Sequence, residues 1–264
     1  MKKAIIICLM LLLIATAFAE RKALVMANWL YPNANLTSPK ADADTVGAIL
    51  SSLGFSVTRF NNLSIADFKT AIDTFAVKTK ATDEVVVYYS GHGVKYNNNS
   101  YMVPSGTDIG KTQIFNKTSY NIASMADKLR QAKTSLIILE ASRPWAPTGS
   151  KTPVNLSFSA ITTSNPNQLI IMSAEPGKTI QDSTLSPSLF TSVLVRYMAE
   201  SEDGINAFFP ELSNVVLQNS NNLQKPWKSG TLKTDFKFNP NQIKGMWKNY
   251  SPMKEIEGGG SISW

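Results

Sequence analysis

Short apolar runs alternate with amphipathic stretches along most of this chain. The runs have the length and the β-branched and aromatic content of strands buried on both faces of a sheet, and the stretches between them repeat apolar residues at helical spacing. The predicted strands cover residues 22–27, 55–60, 84–89, 135–139, 169–172 and 235–238. The predicted helices lie near residues 42–53, 64–75, 122–131, 188–199 and 205–217. Strands that alternate with helices predict an α/β fold, with a mostly parallel central sheet and helices on both faces.

Two stretches of turn-forming residues interrupt this alternation. Tyr96 to Ser100 has turn composition and is predicted to form a loop. Pro144 to Gln168 is rich in Pro, Ser, Thr and Asn, which predicts a long mobile loop.

The first nineteen residues have the pattern of a secretory signal peptide. Lys2 and Lys3 precede an apolar run over residues 4–14, and residues 17–19 supply a small-x-small cleavage site. The run is shorter than the roughly 20 residues of a membrane-spanning helix. We therefore expect a chain cut after Ala19, secreted or periplasmic, without membrane association after cleavage. The remainder is expected to hold one domain, residues 20–240, and a tail, residues 241–264.

The composition restricts the chemistry further. The chain has one cysteine, Cys8, which lies inside the predicted signal. A mature chain without thiols forms no disulfide and has neither a cysteine nucleophile nor a cysteine-bound metal. Because the sequence has one histidine and no nucleotide-binding fingerprint, we expect no metal and no cofactor. The net charge of +7 is spread along the chain rather than gathered in a block, so we expect no nucleic-acid partner.

Residues that can take part in catalysis follow two of the most apolar strands. His92, the single histidine, stands between two glycines directly after residues 84–89, and Ser142 follows residues 135–139. Sites in open parallel sheets gather at the carboxyl ends of strands, so these two residues are expected to lie close together. A lone histidine is more often structural, but flanking glycines favour a site because the Gly93 amide can face a ligand.

Several segments resemble, in order, the core of the caspase-like peptidases, especially their bacterial, paracaspase and metacaspase branch. They are Val86-Val-Tyr-Tyr-Ser-Gly-His-Gly93, Tyr101-Met-Val-Pro104, Leu136-Ile-Ile-Leu-Glu-Ala-Ser-Arg143, Ser173-Ala-Glu-Pro-Gly177, Ser188-Leu-Phe-Thr191, and Gln224-Lys-Pro-Trp-Lys-Ser229 with Asp235-Phe-Lys-Phe238. The resemblance spans residues 22–239 and implies a three-layer α/β/α sandwich. The family pattern after the second strand is Asp-Ala-Cys-Arg, so this sequence has serine where the family has its nucleophilic cysteine.

Carried over by position, the resemblance assigns roles to particular residues. His92 is implied as the general base, Ser142 stands at the nucleophile position, and the amides of Gly93 and Ser142 are implied as the oxyanion hole. In branches that cleave after Arg or Lys, acidic residues bind the basic side chain of the substrate. The matching positions are Asp42, Glu140 and Asp182. Asp42 as an ordinary helix N-terminal charge and Glu140 as an ordinary strand-end carboxylate stay open as alternatives. Some relatives use calcium, which the sequence neither indicates nor excludes.

The serine at position 142 favours a protein without peptidase activity. A thiol with a pKa near ~8.5 is partly ionised at neutral pH, whereas a serine hydroxyl needs a tightly positioned base that takes its proton during attack. We therefore predict a pseudopeptidase that binds basic peptide segments or regulates an active paralogue. The resemblance also implies a homodimer formed through a closing edge strand, here residues 235–238.

Two other interpretations remain open. In the first, Ser142 and His92 form a working dyad and the protein is a serine-dependent hydrolase. In the second, Ser142 replaces a native cysteine and silences a peptidase that cleaves after Arg or Lys. A carboxylate placed to orient His92 would favour the first.

Overall fold

The computed structural model describes residues 19–32, 34–109, 115–143, 157–180 and 186–244, and these ranges contain nine strands and six helices. The strands are β1 (Arg21–Ala27), β2 (Ser56–Asn61), β3 (Glu84–Ser90), β4 (Gly93–Tyr96), β5 (Asn99–Met102), β6 (Tyr120–Asn121), β7 (Thr134–Glu140), β8 (Asn167–Met172) and β9 (Trp227–Leu232). The helices are α1 (Pro39–Ser52), α2 (Ile65–Val77), α3 (Phe115–Thr118), α4 (Ile122–Lys128), α5 (Leu189–Glu200) and α6 (Ile205–Asn219).

Over the described ranges, the main sheet has six strands in the order β2-β1-β3-β7-β8-β9. The first five are parallel, and β9 pairs antiparallel with β8. In this register Ala27 at the end of β1 faces Ser90 at the end of β3, which faces Glu140 at the end of β7. The carboxyl ends of three neighbouring strands are therefore level, at the edge where parallel sheets form their sites.

Helices cover both faces of this sheet. The helices α1, α5 and α6 contribute to the core on one face, and α2 and α4 contribute to the core on the other. Within β3, Val86 and Tyr88 belong to the first core, while Val87 and Tyr89 belong to the second. A strand buried on both faces needs apolar residues at every position, which explains its continuous apolar sequence. The predicted three-layer α/β/α sandwich is confirmed.

A small antiparallel sheet, β4-β5-β6, follows His92. Asn97 and Asn98 form the turn between β4 and β5 with φ angles of 47° and 60°, a left-handed region that asparagine adopts more readily than most residues. The loop predicted at Tyr96 to Ser100 is therefore reduced to a tight turn at Asn97 and Asn98, and the other three residues belong to β4 and β5. The two strands that flank it were not predicted, because each has only four residues.

The closing strand is not where the sequence analysis predicted it. Residues 227–232 form β9, whereas residues 235–238 lie outside the sheet. Phe236 and Phe238 are buried in the core that includes α6, and the Phe236 carbonyl accepts a hydrogen bond of 2.9 Å from the first residue of α6, Ile205. Two buried aromatic residues with exposed Lys237 between them imitate the alternation of a strand. A dimer formed through this edge of the sheet would therefore use β9 and not residues 235–238.

The predicted chain ends fall largely outside the described residues. The described part includes only Ala19 of the predicted signal peptide and only residues 241–244 of the predicted tail. The domain boundaries at these ends stay predictions. Among the described helices, none has the length and apolar character needed to cross a membrane.

Candidate active site

His92 lies just beyond β3 and is buried. Its Nε2 is 2.9 Å from the backbone carbonyl oxygen of Ala34, in the loop between β1 and α1. Because a carbonyl oxygen only accepts hydrogen bonds, Nε2 carries the hydrogen, and the neutral ring keeps its lone pair on Nδ1. The group that orients Nε2 is thus a backbone carbonyl rather than a carboxylate.

Two tyrosines hold the backbone of His92. The His92 amide donates to the Tyr31 hydroxyl at 3.2 Å, and the Tyr89 hydroxyl donates to the His92 carbonyl at 2.9 Å. The Tyr31 ring also contacts the imidazole edge-on, with ring centroids 4.6 Å apart. Both hydroxyls lie 3.1 Å from the Val103 carbonyl oxygen, which connects this network to the end of β5. Hydrogen bonds to the two tyrosines therefore fix the backbone of His92, and the Tyr31 ring packs against its imidazole.

Ser142 lies two residues beyond β7 and is buried, with 2% of its surface exposed. Its carbonyl accepts a hydrogen bond of 2.7 Å from the Ile180 amide. The Gly91 amide donates to the Glu140 carbonyl at 3.2 Å, which joins the chain before His92 to the chain before Ser142. The structure therefore brings the predicted nucleophile and base positions to neighbouring strand ends, as expected. Their catalytic roles and the oxyanion roles of the amides stay predictions.

Gly93 lies where neighbouring atoms leave no room for a side chain. A Cβ atom at this position would overlap the Phe158 ring and the Ala141 carbonyl oxygen. Phe158 is 1% exposed, and it therefore fills the space beside both Gly93 and the residue that precedes Ser142. The apolar ring closes this part of the site.

Phe158 belongs to the stretch predicted to be a long mobile loop; residues 157–165 have no helix or strand, but part of this loop packs against the rest of the domain. Ser159 donates its amide to the Ser100 hydroxyl at 3.1 Å, and the Gly177 amide donates to the Phe158 carbonyl at 2.9 Å. Phe158 and Ile161 are both buried in the core that contains α2 and α4. These two apolar residues could have indicated a buried segment, but they lie in a stretch of mostly polar and turn-forming residues. Residues 144–156 of the same prediction lie outside the described ranges.

The predicted acidic residues Asp42 and Glu140 come together below the strand ends, and both are buried. Asp42, in the first turn of α1, accepts hydrogen bonds from the Ser90 hydroxyl at 2.8 Å and from the Ser188 amide at 2.7 Å. Glu140 is the last residue of β7. Asp182, the third predicted position, lies outside the described residues.

Arg143 is the cation that the sequence analysis missed, and its buried side chain contacts both acids. Its Nη2 is 3.5 Å from Asp42 Oδ2 and 3.4 Å from Glu140 Oε1. Its Nη1 donates to the carbonyls of Gly91 at 2.9 Å and Glu140 at 2.6 Å. The guanidinium therefore lies where the resemblance implied that a substrate's basic side chain would bind.

Comparison with known protein families identifies the family of this chain. The chain matches the caspase domain, a peptidase family, over residues 20–237. The chain belongs to the caspase domain family. Among solved structures, protein GSU0716 from Geobacter sulfurreducens is similar, with 16% sequence identity and a TM-score of 0.58, over 82% of this chain and 97% of that one. An identity this low shows the fold alone. No curated protein matches the sequence.

The buried cluster of this caspase domain has two carboxyl groups, on Asp42 and Glu140, but only one cation, Arg143. Burial raises the pKa of Glu140 to about 7, partly offset by Arg143, and burial also raises the pKa of Asp42. Asp42 has two good donors besides the guanidinium, while Glu140 Oε2 has no hydrogen-bond partner among the described residues. Glu140 is therefore the carboxyl that holds a proton near neutral pH.

We expect the stability of the caspase domain to fall as the pH rises from about 4.5 to about 7. The raised pKa means that folded Glu140 keeps its proton in this window, while the unfolded chain, with the ordinary value of 4.5, has already released it. The free energy of unfolding should drop by about 3 kcal/mol across the window and level off above it. Urea unfolding at several pH values measures this.

The Glu140→Gln variant should flatten that slope, because it cannot release the proton. Glu202→Gln, at an exposed carboxyl, is the matched control and should keep the wild-type slope. An unchanged slope in Glu140→Gln would show that another group binds the proton.

No cluster of three or more His, Cys, Asp or Glu side chains that could hold a metal ion lies in the described part of the caspase domain.

Proposed function

We propose that this caspase-domain protein does not hydrolyse peptide bonds and acts by binding another protein. The observation that carries the proposal is the serine at position 142, where the resemblance places a cysteine nucleophile. A hydroxyl is far less acidic than a thiol, so it attacks only when a positioned base removes its proton. Removing the nucleophile from such a catalytic unit typically costs many orders of magnitude in rate.

Burial of the site supports the same proposal. His92 and Ser142 are both at most 2% exposed, and Phe158 packs beside Gly93. Hydrolysis of a peptide requires the scissile carbonyl to reach the nucleophile, and a buried hydroxyl does not meet that requirement without rearrangement.

The internal guanidinium supports it as well. A pocket that selects arginine or lysine needs carboxylates whose charge is available to the substrate, and here Arg143 contacts both Asp42 and Glu140. Binding of a basic peptide segment at these acids requires displacement of Arg143. In this proposal, a basic partner binds to Asp42 and Glu140 only after Arg143 has moved away from them.

The partner in this proposal is a second caspase domain, either another copy of the chain or an active paralogue that it regulates. Edge strand β9 supports this choice, because it pairs only with β8 among the described strands and an edge strand can pair with a strand of another chain. The proposal includes export, directed by residues 1–19 and followed by cleavage after Ala19.

Purified protein should hydrolyse arginyl and lysyl reporter peptides no faster than its Ser142→Ala variant. The expected result follows from the missing thiol and the buried hydroxyl, and steady-state fluorescence with matched protein concentrations measures it. Labelling by a fluorophosphonate probe should likewise be equal in the two proteins. Hydrolysis by the wild type that disappears in Ser142→Ala would refute the proposal.

A serine hydrolase is the second candidate, because the His92 ring is oriented, although by the Ala34 carbonyl rather than by a carboxylate. That carbonyl leaves the lone pair of a neutral His92 on Nδ1, the state that a general base needs. The Ser142→Cys variant distinguishes the candidates, because a competent base and oxyanion hole would give measurable cleavage with the better nucleophile. We expect Ser142→Cys to remain inactive while the site is closed.

A further inference from the structure

Glu20 is held through its backbone and through its side chain. Its carbonyl accepts a hydrogen bond of 3.0 Å from the Glu84 amide, and its carboxylate lies 3.1 Å from Lys22 Nζ and 3.2 Å from Lys80 Nζ. The first residues of a domain are usually poorly ordered unless something ties them down. Glu20 directly follows the predicted cleavage site, so the residue that would begin the mature chain is fixed in place.

The backbone nitrogen of Glu20 faces a buried carboxylate. It donates to Asp83 Oδ1 at 3.2 Å, and the side chain of Asp83 has no exposed surface. The other oxygen, Oδ2, accepts from Lys22 Nζ at 2.7 Å and from the Lys80 amide at 2.8 Å. Within the described residues, the Glu20 nitrogen is the sole hydrogen-bond donor to Oδ1. One oxygen of this carboxylate is therefore committed to that nitrogen.

We propose that Asp83 is the receptor for the α-ammonium group that cleavage after Ala19 creates on Glu20. This inference rests on the proposed export. Hydrolysis adds water across the peptide bond between Ala19 and Glu20, so the new carboxylate leaves with the signal peptide and the Glu20 nitrogen takes up protons. A neutral amide that donates to Asp83 thereby becomes a charged donor, and the hydrogen bond becomes an ion pair.

The surrounding charges suit this role. Burial by itself would raise the pKa of Asp83, but hydrogen bonds from Lys22 and from the backbone amides of Lys80 and Glu20 outweigh it and hold that pKa below its ordinary value. Asp83 is therefore ionised where the ammonium forms. The nearby cations are paired with carboxylates: Lys22 with Glu20 and with Asp83 Oδ2, and Lys80 with Glu20. Glu84 pairs with Arg21 and Lys133.

A comparison of two chain starts tests the receptor. A chain released to begin at Glu20 should melt about 2 °C higher at pH 6 than a chain that begins at Ala17, in which the Glu20 nitrogen is a neutral amide. This difference in melting temperature should vanish when Asp83→Asn is introduced into both chains. It should persist with Asp73→Asn, a matched change at a partly exposed carboxylate paired with Lys128. Equal melting temperatures of the two chain starts, or a difference that Asp83→Asn leaves unchanged, would overturn the inference.

A titration of the α-amine covers the case in which Asp83→Asn does not fold. In the chain that begins at Glu20, the amine should titrate about one unit above the ordinary N-terminal value of ~7.7, as followed by NMR of the isotopically methylated amine. The added stability is then present below the ordinary value and is lost as the pH rises through the raised one. A value at or below the ordinary one would contradict the receptor.

The mass of the exported protein separates this inference from the proposed export. A chain that begins at Glu20 supports both, and an exported chain that begins elsewhere overturns the receptor while it leaves export intact. An uncut chain that stays in the cell refutes the export and, with it, the receptor.

Discussion

The Arg143→Met variant should be about 3 to 5 kcal/mol less stable than the wild type, because it leaves two buried carboxyls without their cation. The same change removes the donors to the carbonyls of Gly91 and Glu140. For a domain of this size, that loss should lower the melting temperature by roughly 6 to 20 °C. Urea unfolding at pH 7, with a thermal scan beside it, measures the effect.

Removal of the acids tests whether their charge is the cause. The triple variant Arg143→Met, Asp42→Asn, Glu140→Gln should recover part of the loss, because it carries no buried charge in the cluster. Arg59→Met is the matched control, since Arg59 pairs with Asp44 at the surface and should matter by less than about 1 kcal/mol. If Arg143→Met is no more harmful than Arg59→Met, the buried cluster does not support the fold in the way proposed.

The Gly93→Ala variant should be destabilised by about 3 kcal/mol or more, because the added methyl group has no space. It would overlap the Phe158 ring on one side and the Ala141 backbone oxygen on the other, and a backbone oxygen cannot move aside alone. The chain next to Ser142 would have to shift. Chemical denaturation measures the stability.

Gly47→Ala is the matched control for that variant. Its new methyl group would lie 2.9 Å from Arg59 Cδ, and a flexible surface side chain can rotate away. Alanine also favours a helix over glycine by about 1 kcal/mol, so the variant should be close to the wild type or slightly more stable. Equal losses at positions 93 and 47 would show that tight packing is not special to the site.

The main elements could be predicted because each has a local cause. The helix predicted near residues 64–75 begins with a capping box at Ser64 and Asp67, in which the Asp67 amide donates to the Ser64 hydroxyl at 3.2 Å. The continuous apolar residues of β3 and β7 indicated strands buried on both faces. The closing strand could not be located, because Phe236 and Phe238 alternate for a tertiary reason: they fill the core beside α6.

The positions of the candidate site could be predicted as well, but the contacts could not. His92, Gly93 and Ser142 follow strands, so the topology alone brings them together. The sequence leaves open where the long side chain of Arg143 points, since an arginine after a strand reaches solvent as easily as the interior. In the folded protein this side chain turns inward to Asp42 and Glu140.

Asp42 has a consequence that extends beyond the acid pair. Its carboxylate binds the Ser188 amide, and Ser188 in turn caps α5 by accepting a hydrogen bond from the Thr191 amide. A single side chain therefore fastens the first turn of α1, the tip of β3 and the start of α5 to one another. Any substitution of Asp42 would therefore disturb three elements at once, which leaves this position little freedom to change.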